Sequence, residues 1–134
     1  MKPRISIITL AADDLERLLR FYRDGLGLPT LGIAAPEHGG NHILFEIEGG
    51  LSLVLFKRTA LDELTKEIGV LGGSGEIILS YPAESREEVD GILAAAETSG
   101  GSRAGPIEDA DWGYHGHFRD PDGHLWEAIW FKPG

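Results

Sequence analysis

Residues 118–130 read FRDPDGHLWEAIW, and this stretch decides how the end of the chain folds. Its first half, Asp-Pro-Asp-Gly, has the composition of a tight turn, in which glycine supplies the left-handed backbone that a hairpin needs. Its second half is an apolar and aromatic run typical of a strand, yet Glu127 lies at its centre. A carboxylate is costly to bury unless another group pairs with it. The sequence therefore predicts that Glu127 faces either water or a binding site.

The size and composition of the chain limit the kinds of protein it can be. With 134 residues, 42% hydrophobic and 25% charged, it is predicted to form one globular domain. A formal net charge of -10 argues against nucleic acid or an anionic membrane as a partner, because both require a basic surface. The absence of cysteine excludes disulfides and thiolate metal ligands. Since no apolar run suits a signal peptide or a membrane span, we expect a cytoplasmic protein.

The order of predicted elements occurs twice along the chain. The strands predicted in the first copy are 4–10, 30–35, 42–47 and 51–56. The strands predicted in the second copy are 76–81, 103–108, 113–119 and 124–131. A helix follows the first strand of each copy, with Asp13 and Ser85 as the expected N-caps. A βαβββ pattern that occurs twice outweighs any single local prediction, because internal repeats indicate a duplicated architecture.

We expect the whole chain, residues 1–134, to form a single domain built from two modules. Module one is predicted at about residues 1–58 and module two at about residues 75–134. The linker at about residues 59–74 holds a short helical segment and a Gly-Gly-Ser-Gly sequence. Glycine and serine favour a flexible connection between the two modules.

Alternation along the strands assigns residues to the two faces of each sheet. In the last strand Trp126 and Trp130 share one side, and Glu127 lies on the other. The side chains predicted to pack against the helices are Leu53, Leu55, Ile77, Leu79, Trp126 and Trp130. The side chains predicted to line a concave face are Ser52, Val54, Glu76, His117 and Glu127. The first set is apolar, which suits a core, and the second set is mixed, which suits a ligand cleft.

Two segments carry a resemblance to a known family. They are AADDLERLLRFYRDGLGL at 11–28 and the hairpin at 118–130. On these segments the chain resembles the glyoxalase/bleomycin-resistance/dioxygenase family, also called the vicinal oxygen chelate proteins. The resemblance implies an α+β fold in which two βαβββ modules form a curved mixed sheet around a cleft. It also implies a homodimer and a small-molecule ligand, while the fold alone leaves the activity open.

The resemblance also implies where a metal would bind. In metal-using members one ligand comes from the first strand and one from the last strand of each copy, and these ligands are usually His and Glu. The equivalent positions in this chain are Ile7, Val54, Glu76 and Glu127. Ile7 and Val54 are aliphatic and cannot bind a metal, so we expect no metal cofactor. A divalent metal held by the carboxylates together with neighbouring histidines is the alternative.

Several polar residues are predicted to gather around Glu127. His115 and His117 are two residues apart in one strand, so they share a face, and the hairpin should bring that face to Glu127. In the first copy His42 takes the place of His115. Glu127 and His117 are the candidate catalytic acid–base pair. The candidate ligand-binding residues are Ile7, His42, Val54, Glu76, Trp112 and His115.

These residues also have simpler structural interpretations. The histidines are half-exposed strand residues in that interpretation, Glu76 is the exposed start of a strand, and Trp112 plugs the end of the sheet. Three functions stay open. The first is metal-independent binding of a small molecule, and the second is a metal-free lyase or isomerase that uses Glu127 and His117 as acid and base. The third is a glyoxalase-type lyase or dioxygenase with a rearranged metal site.

Overall fold

The computed structural model describes residues 2–3, 5–34, 40–65 and 77–134, apart from the side chains of residues 64 and 65. The chain divides into two compact units, residues 1–71 and 72–134. Each unit contains a four-stranded mixed sheet together with helix, so the predicted α+β class is confirmed. The predicted Gly-Gly-Ser-Gly connection and Glu76 lie outside the described residues.

Unit 1, residues 1–71, contains four strands and its own helical segments. Its elements in chain order are β1 Ile7–Ala12, α1 Leu15–Leu19, a π-helical segment Arg20–Gly25, β2 Thr30–Ile33, β3 His42–Ile47, β4 Leu51–Lys57 and α2 Arg58–Thr65. The strand order is β1-β4-β3-β2, in which β1 is parallel to β4 and the other pairs are antiparallel. Gly49 and Gly50 close the β3–β4 hairpin with φ angles of 87° and 83°, which glycine adopts without steric cost.

Unit 2, residues 72–134, repeats the same topology. Its elements in chain order are β5 Ile78–Pro82, α3 Arg86–Thr98, β6 Ser102–Asp109, β7 Gly113–Arg119 and β8 Leu125–Phe131. The strand order is β5-β8-β7-β6, with β5 parallel to β8. The predicted duplication of the βαβββ order is therefore confirmed. Among the described residues no helix is long and apolar enough to cross a membrane.

The two helix starts test the predicted caps. Asp14 is the N-cap of α1, because its side chain accepts a hydrogen bond from the backbone N–H of Arg17 at 3.1 Å. The prediction of Asp13 was wrong by one residue, and Asp13 instead pairs with Arg58 at 2.5 Å. Ser85 caps α3 as predicted, and its hydroxyl accepts from the backbone N–H three residues on at 3.1 Å.

The core of unit 1 lies between its sheet and the segment that contains α1 and the π-helical turns. Alternation buries one side of β3 and β4, including Phe45 and Leu55, which are completely buried. The ring of Tyr22 packs against Phe45 with centroids 5.6 Å apart. The buried apolar side chains on this side of β1, β3 and β4 are Leu10, Ala12, Ile43, Phe45, Leu53 and Leu55, and Val54, on the other side of β4, is also buried. Leu53 and Leu55 are thus core residues, as predicted.

The core of unit 2 lies between α3 and the sheet face that carries Phe118. This ring is 1% exposed and stacks on Trp126 with centroids 5.9 Å apart. Trp126 and Trp130 share that face as predicted, but both are only half-buried. Ile77, predicted to be buried, is 58% exposed. It precedes Ile78, the first residue of β5 that pairs with β8, and Ile78 is itself 51% exposed, so the start of β5 lies at the surface of unit 2.

The registers of the two parallel strand pairs show which residues of the two units are equivalent. Ile7 lies opposite Ser52 in unit 1, and Ile78 lies opposite Leu125 in unit 2. Because Ser52 and Leu125 are each two residues before the matched pair Val54 and Glu127, the residue equivalent to Ile7 is Ile78. The predicted equivalence of Ile7 with Glu76 was therefore wrong by two residues.

Candidate functional site

The turn between β7 and β8 fixes which side chains meet across the hairpin. Asp120, which is 3% exposed, accepts hydrogen bonds from the backbone N–H groups of Asp122 at 2.9 Å and His124 at 3.0 Å. Gly123 has a φ of 90°, the left-handed geometry predicted for this turn. The resulting register places His117 directly opposite Glu127. The hydrogen bonds of the turn thus fix the register that places His117 opposite Glu127.

Packing on α3 shows which face of β7 carries the histidines. Tyr114 donates its hydroxyl proton to Asp90 of α3 at 2.5 Å. Gly116 lies so close to α3 that a Cβ there would be 2.7 Å from Leu93 Cδ1. Residues of a strand alternate between its two faces, so His115 lies on the side opposite α3. The two histidines and Glu127 therefore share the face that α3 does not cover.

The side chains of His115, His117 and Glu127 form a compact cluster, which we call the triad. His115 Nδ1 lies 3.2 Å from Glu127 Oε2, and His117 Nε2 lies 3.5 Å from the same oxygen. One ligand atom from each residue falls within 4.8 Å of the other two. Sequence parity predicted that Glu127 meets a histidine and favoured His117. The contact to His117 is present, and the contact to His115 is shorter.

Burial makes the three members of the triad unequal. The side chain of His115 is 11% exposed, that of Glu127 20% and that of His117 27%. Within the part of the chain that the structure describes, both ring nitrogens of His115 are buried and have no hydrogen-bond partner. The Glu127 carboxylate therefore lies 3.2 Å from Nδ1 of His115 without forming a hydrogen bond to it. An unsatisfied buried nitrogen is unusual and calls for a partner.

Trp112 forms an aromatic edge beside the triad. Its ring stacks on the ring of His115, with centroids 5.3 Å apart and planes 27° apart, and it also contacts Phe131. Trp112 is 54% exposed and Phe131 62% exposed. The two sequence interpretations of Trp112 were a pocket wall and a plug at the sheet end. Its stacking on His115 and its exposure agree with a position at the edge of a site.

Two residues that the sequence interpretation missed also belong to this neighbourhood. Ser80 lies opposite Glu127 in the parallel β5–β8 pair and donates its hydroxyl proton to Glu127 Oε1 at 2.9 Å. Glu108 lies opposite His115 in the β6–β7 pair, and its Oε2 is 3.7 Å from His115 Nε2. The signal for Ser80 was the register of β5. With that strand started two residues early, Glu76 took the place that the ladder gives to Ile78, and the pairing of Ser80 with Glu127 was missed.

Of the other predicted ligand-binding residues, three lie in unit 1 and are described there, and one lies outside the described residues. His42 occupies the position of unit 1 equivalent to His115, as predicted, where it contacts Asn41 at 2.7 Å and stacks on Phe56. Ile7 and Val54 are also in unit 1, the first 56% exposed and the second 8% exposed. Glu76 lies outside the described residues.

Unit 1 carries apolar residues at two of the three positions equivalent to the triad. The residue opposite Val54 in β3 is Leu44, whereas the residue opposite Glu127 in β7 is His117. His42 therefore has neither a neighbouring imidazole nor a carboxylate at the positions equivalent to those of unit 2. Among the described residues, this cluster of two histidines and a glutamate is found in unit 2 and not in unit 1.

The metal-ligand positions implied by the resemblance do not suit a metal. With Ile7 kept as the first-strand position of unit 1, the ladders give Ile78 as its counterpart in unit 2, and the last-strand positions are Val54 and Glu127. Three of the side chains are aliphatic and offer no donor atom. A single carboxylate is too few ligands for a zinc or iron site of the usual kind. The residues at these positions therefore do not fit the metal of the metal-using members.

A separate polar network lies on the α3 side of β7. The hydrogen bond from Tyr114 to Asp90, with burial second, raises the pKa of the Tyr114 phenol, because the neutral form is the donor. Arg86 lies 4.5 Å above the same ring. Hydrogen bonds from Lys132 and Arg86 lower the pKa of Asp109. Because Tyr114 faces α3, this network supports the packing of the helix rather than the triad.

The geometry defines an α+β protein of two βαβββ units, of which one carries a polar cluster on the sheet face opposite its helix. The chain belongs to the Glyoxalase/Bleomycin resistance protein/Dioxygenase superfamily, whose family model matches residues 4–128. Members of this superfamily bind small molecules. A comparison with curated proteins gave no significant match.

Three solved structures illustrate the likeness of fold. A glyoxalase-related enzyme from Fulvimarina pelagi is 25% identical with a TM-score of 0.79, and the match covers 96% of this chain and 88% of that one. Lactoylglutathione lyase from Agrobacterium tumefaciens is 24% identical with a TM-score of 0.71, covering 98% and 100%. A glyoxalase/bleomycin resistance protein/dioxygenase family enzyme from Burkholderia phytofirmans PsJN is 15% identical with a TM-score of 0.76, covering 95% and 98%.

Proposed function

We propose that this chain binds a small molecule at the triad and does so without a metal at the four positions used by metal-dependent relatives. The observation that carries the proposal is Glu127, a carboxylate held between two imidazoles on a sheet face that its helix does not cover. Its Oε1 is already bonded to Ser80, which leaves Oε2 and the two imidazoles to meet a ligand. The homodimer implied by the resemblance is part of the same proposal.

The surroundings of the triad support recognition of a ligand that is partly apolar. Trp112 and Phe131 present exposed aromatic surface beside His115. Binding sites for small molecules typically combine such apolar walls with a few convergent polar groups. Glu127 accepts hydrogen bonds, and a neutral imidazole both donates and accepts. The triad thus fixes the orientation of a ligand, and the aromatic rings supply contact area.

The substitutions at the family's metal positions support independence from that metal. Ile7, Val54 and Ile78 remove three of its four donors, whereas Glu127 keeps a polar role through Ser80 and the histidines. If the site acted through a metal at those positions, aliphatic side chains there would abolish it. Polar contacts made by the side chains themselves require no such ion.

Acid–base catalysis at the same residues is the second candidate function. Its support is the approach of two imidazoles to one carboxylate oxygen, at 3.2 Å for His115 and 3.5 Å for His117. A catalytic acid or base has to lie within hydrogen-bond reach of the proton it moves, and such distances often tighten when substrate binds. In this candidate Glu127 and His117 carry out the proton transfer of a lyase or isomerase.

A thermal-shift screen run both with and without EDTA tests the proposal. Small molecules that bind only the native chain raise the unfolding midpoint, and at 100 times its Kd a ligand adds about 2.7 kcal/mol of stability. Glu127→Gln keeps the shape and removes the charge, so we expect it to fold and to lose most of the shift. Glu87→Gln removes an exposed carboxylate in the first turn of α3 and serves as the matched control. Compounds that raise the unfolding midpoint of Glu127→Gln as much as that of Glu87→Gln would show that they bind elsewhere. Compounds that raise the midpoint only without EDTA would refute metal independence.

A further inference from the structure

We propose that the triad is also a binding site for one divalent transition-metal ion, held entirely within unit 2. The ligands would be one ring nitrogen from each of His115 and His117 and Oε2 of Glu127. Two of these three residues lie in the middle of β7, away from the four strand positions at which the resemblance places metal ligands. The inference goes beyond the proposed function, because the binding proposed above needs no ion.

The spacing of the donor atoms suits an ion at their centre. Zinc bonds to His nitrogen at about 2.0–2.1 Å and to carboxylate oxygen at about 2.0–2.2 Å, so two ligands at the tetrahedral angle lie about 3.4 Å apart. The two nitrogen–oxygen distances are 3.2 Å and 3.5 Å. These two distances match the required spacing, and one ligand atom from each of the three residues lies within 4.8 Å of the other two.

The buried nitrogens of His115 are the second, independent observation. The residue is 9% exposed, and among the described residues neither ring nitrogen has a hydrogen-bond partner. A buried polar atom left without a partner destabilises the folded chain. A plain ion pair with Glu127 does not remove this cost, since the contact lacks hydrogen-bond geometry. An ion bound to Nδ1 would satisfy the nitrogen directly.

The groups behind the triad are those that usually support metal ligands. Ser80 holds Oε1 of Glu127 at 2.9 Å, which orients the carboxylate and leaves Oε2 for the ion. Glu108 Oε2 lies 3.7 Å from Nε2 of His115, on the opposite side of the ring from Glu127. A carboxylate behind a metal-bound histidine fixes the ring and strengthens it as a donor. Both supporting residues come from strands that neighbour the ligand strands.

The donor set determines the class of ion. Two imidazoles and one carboxylate suit zinc, cobalt, nickel or iron rather than magnesium or calcium, which prefer oxygen. Three protein ligands leave at least one coordination position open for water or a ligand, as in catalytic zinc sites. The ion and a metal-free ligand would both use Glu127 Oε2, so we expect the two to compete.

Cobalt titration of the tag-free full chain, freed of metal by chelation and with no small molecule present, tests this inference. We expect one Co²⁺ per chain by calorimetry, together with a visible absorption band from nitrogen and oxygen ligation. His117→Leu introduces the residue found at the equivalent place in unit 1, Leu44, and should weaken affinity more than about 100-fold. Glu127→Gln should do the same, and Ser80→Ala should weaken it about tenfold.

His42→Gln is the matched control, because His42 is the unit 1 counterpart of His115 and lacks the neighbouring ligands. It should bind Co²⁺ like the unaltered chain. Circular dichroism establishes that each variant is folded, and a metal-induced rise in unfolding midpoint gives a second readout. Absence of stoichiometric binding, or equal binding by His117→Leu and Glu127→Gln, would overturn the metal site. Because no small molecule is present, this failure is separate from a failure of the EDTA screen.

Discussion

Replacing Gly116 by alanine should destabilise unit 2, because this glycine lets α3 pack directly on the backbone of β7. A Cβ at Gly116 would lie 2.7 Å from Leu93 Cδ1 and 3.3 Å from Ile107 Cγ1. Carbon atoms rest about 3.5–4.0 Å apart, so the buried Leu93 has to move by about 1 Å. Such overpacking costs about 1–3 kcal/mol. The reduced freedom of the unfolded chain offsets about 0.4–1 kcal/mol. The expected net loss in free energy of unfolding is about 0.5–2 kcal/mol.

Urea unfolding of a double-mutant cycle measures this effect. Leu93→Ala alone should cost about 2–5 kcal/mol, and in the Gly116→Ala background it should cost less by about 1 kcal/mol or more, because the clash is relieved. Gly91→Ala is the control, since Gly91 lies in the same helix and a Cβ there would meet no atom of the described residues within 4 Å. It should gain about 0.5–1 kcal/mol from helix propensity. Additive effects of the two core substitutions, or a Gly116→Ala variant as stable as the unaltered chain, would refute the tight packing of α3 on β7.

Two further predictions concern groups outside the triad. The Tyr114 phenol should titrate above its ordinary value of 10.0 by ultraviolet absorbance, and Asp90→Asn should lower that midpoint, whereas an ordinary midpoint would contradict the hydrogen bond. Since the folded pKa is raised, the stability from this group is fully present below the unfolded pKa and is lost as pH rises through the folded pKa. Asp120→Ala should cost about 2–4 kcal/mol in urea unfolding, because two backbone N–H groups lose their acceptor. A loss no larger than that of Asp122→Ala would show that the carboxylate does not hold the turn.

Much of the fold was predictable because periodicity and turn residues act locally. The β3–β4 and β7–β8 hairpins were predicted within about a residue, since paired glycines and the Asp-Pro-Asp-Gly turn define their ends. The face of Glu127 followed from alternation alone. The N-cap of α1 was misplaced by one residue because Asp13 and Asp14 are adjacent and chemically identical, so tertiary contact with Arg58 decides between them.

The candidate site was predictable only where one hairpin sets the contacts. His117 faces Glu127 through local pairing, so sequence was sufficient for that pair. Ser80 was missed because β5 reaches β8 by a crossover connection, and the register of a parallel pair is not set by a turn. Glu108 was missed because its approach to His115 depends on the irregular β6–β7 register.

The buried Asp120 turn has a consequence for the accuracy of folding. If β8 paired with β7 one residue out of step, its side-chain period of two would turn every residue to the opposite face. Trp126 would then leave Phe118 and be exposed to solvent, and Glu127 would enter the packing beneath α3. Such an error would remove the polar cluster and at the same time expose an apolar surface that favours aggregation. A turn that lies outside the triad thereby protects both the polar cluster and the packing of α3.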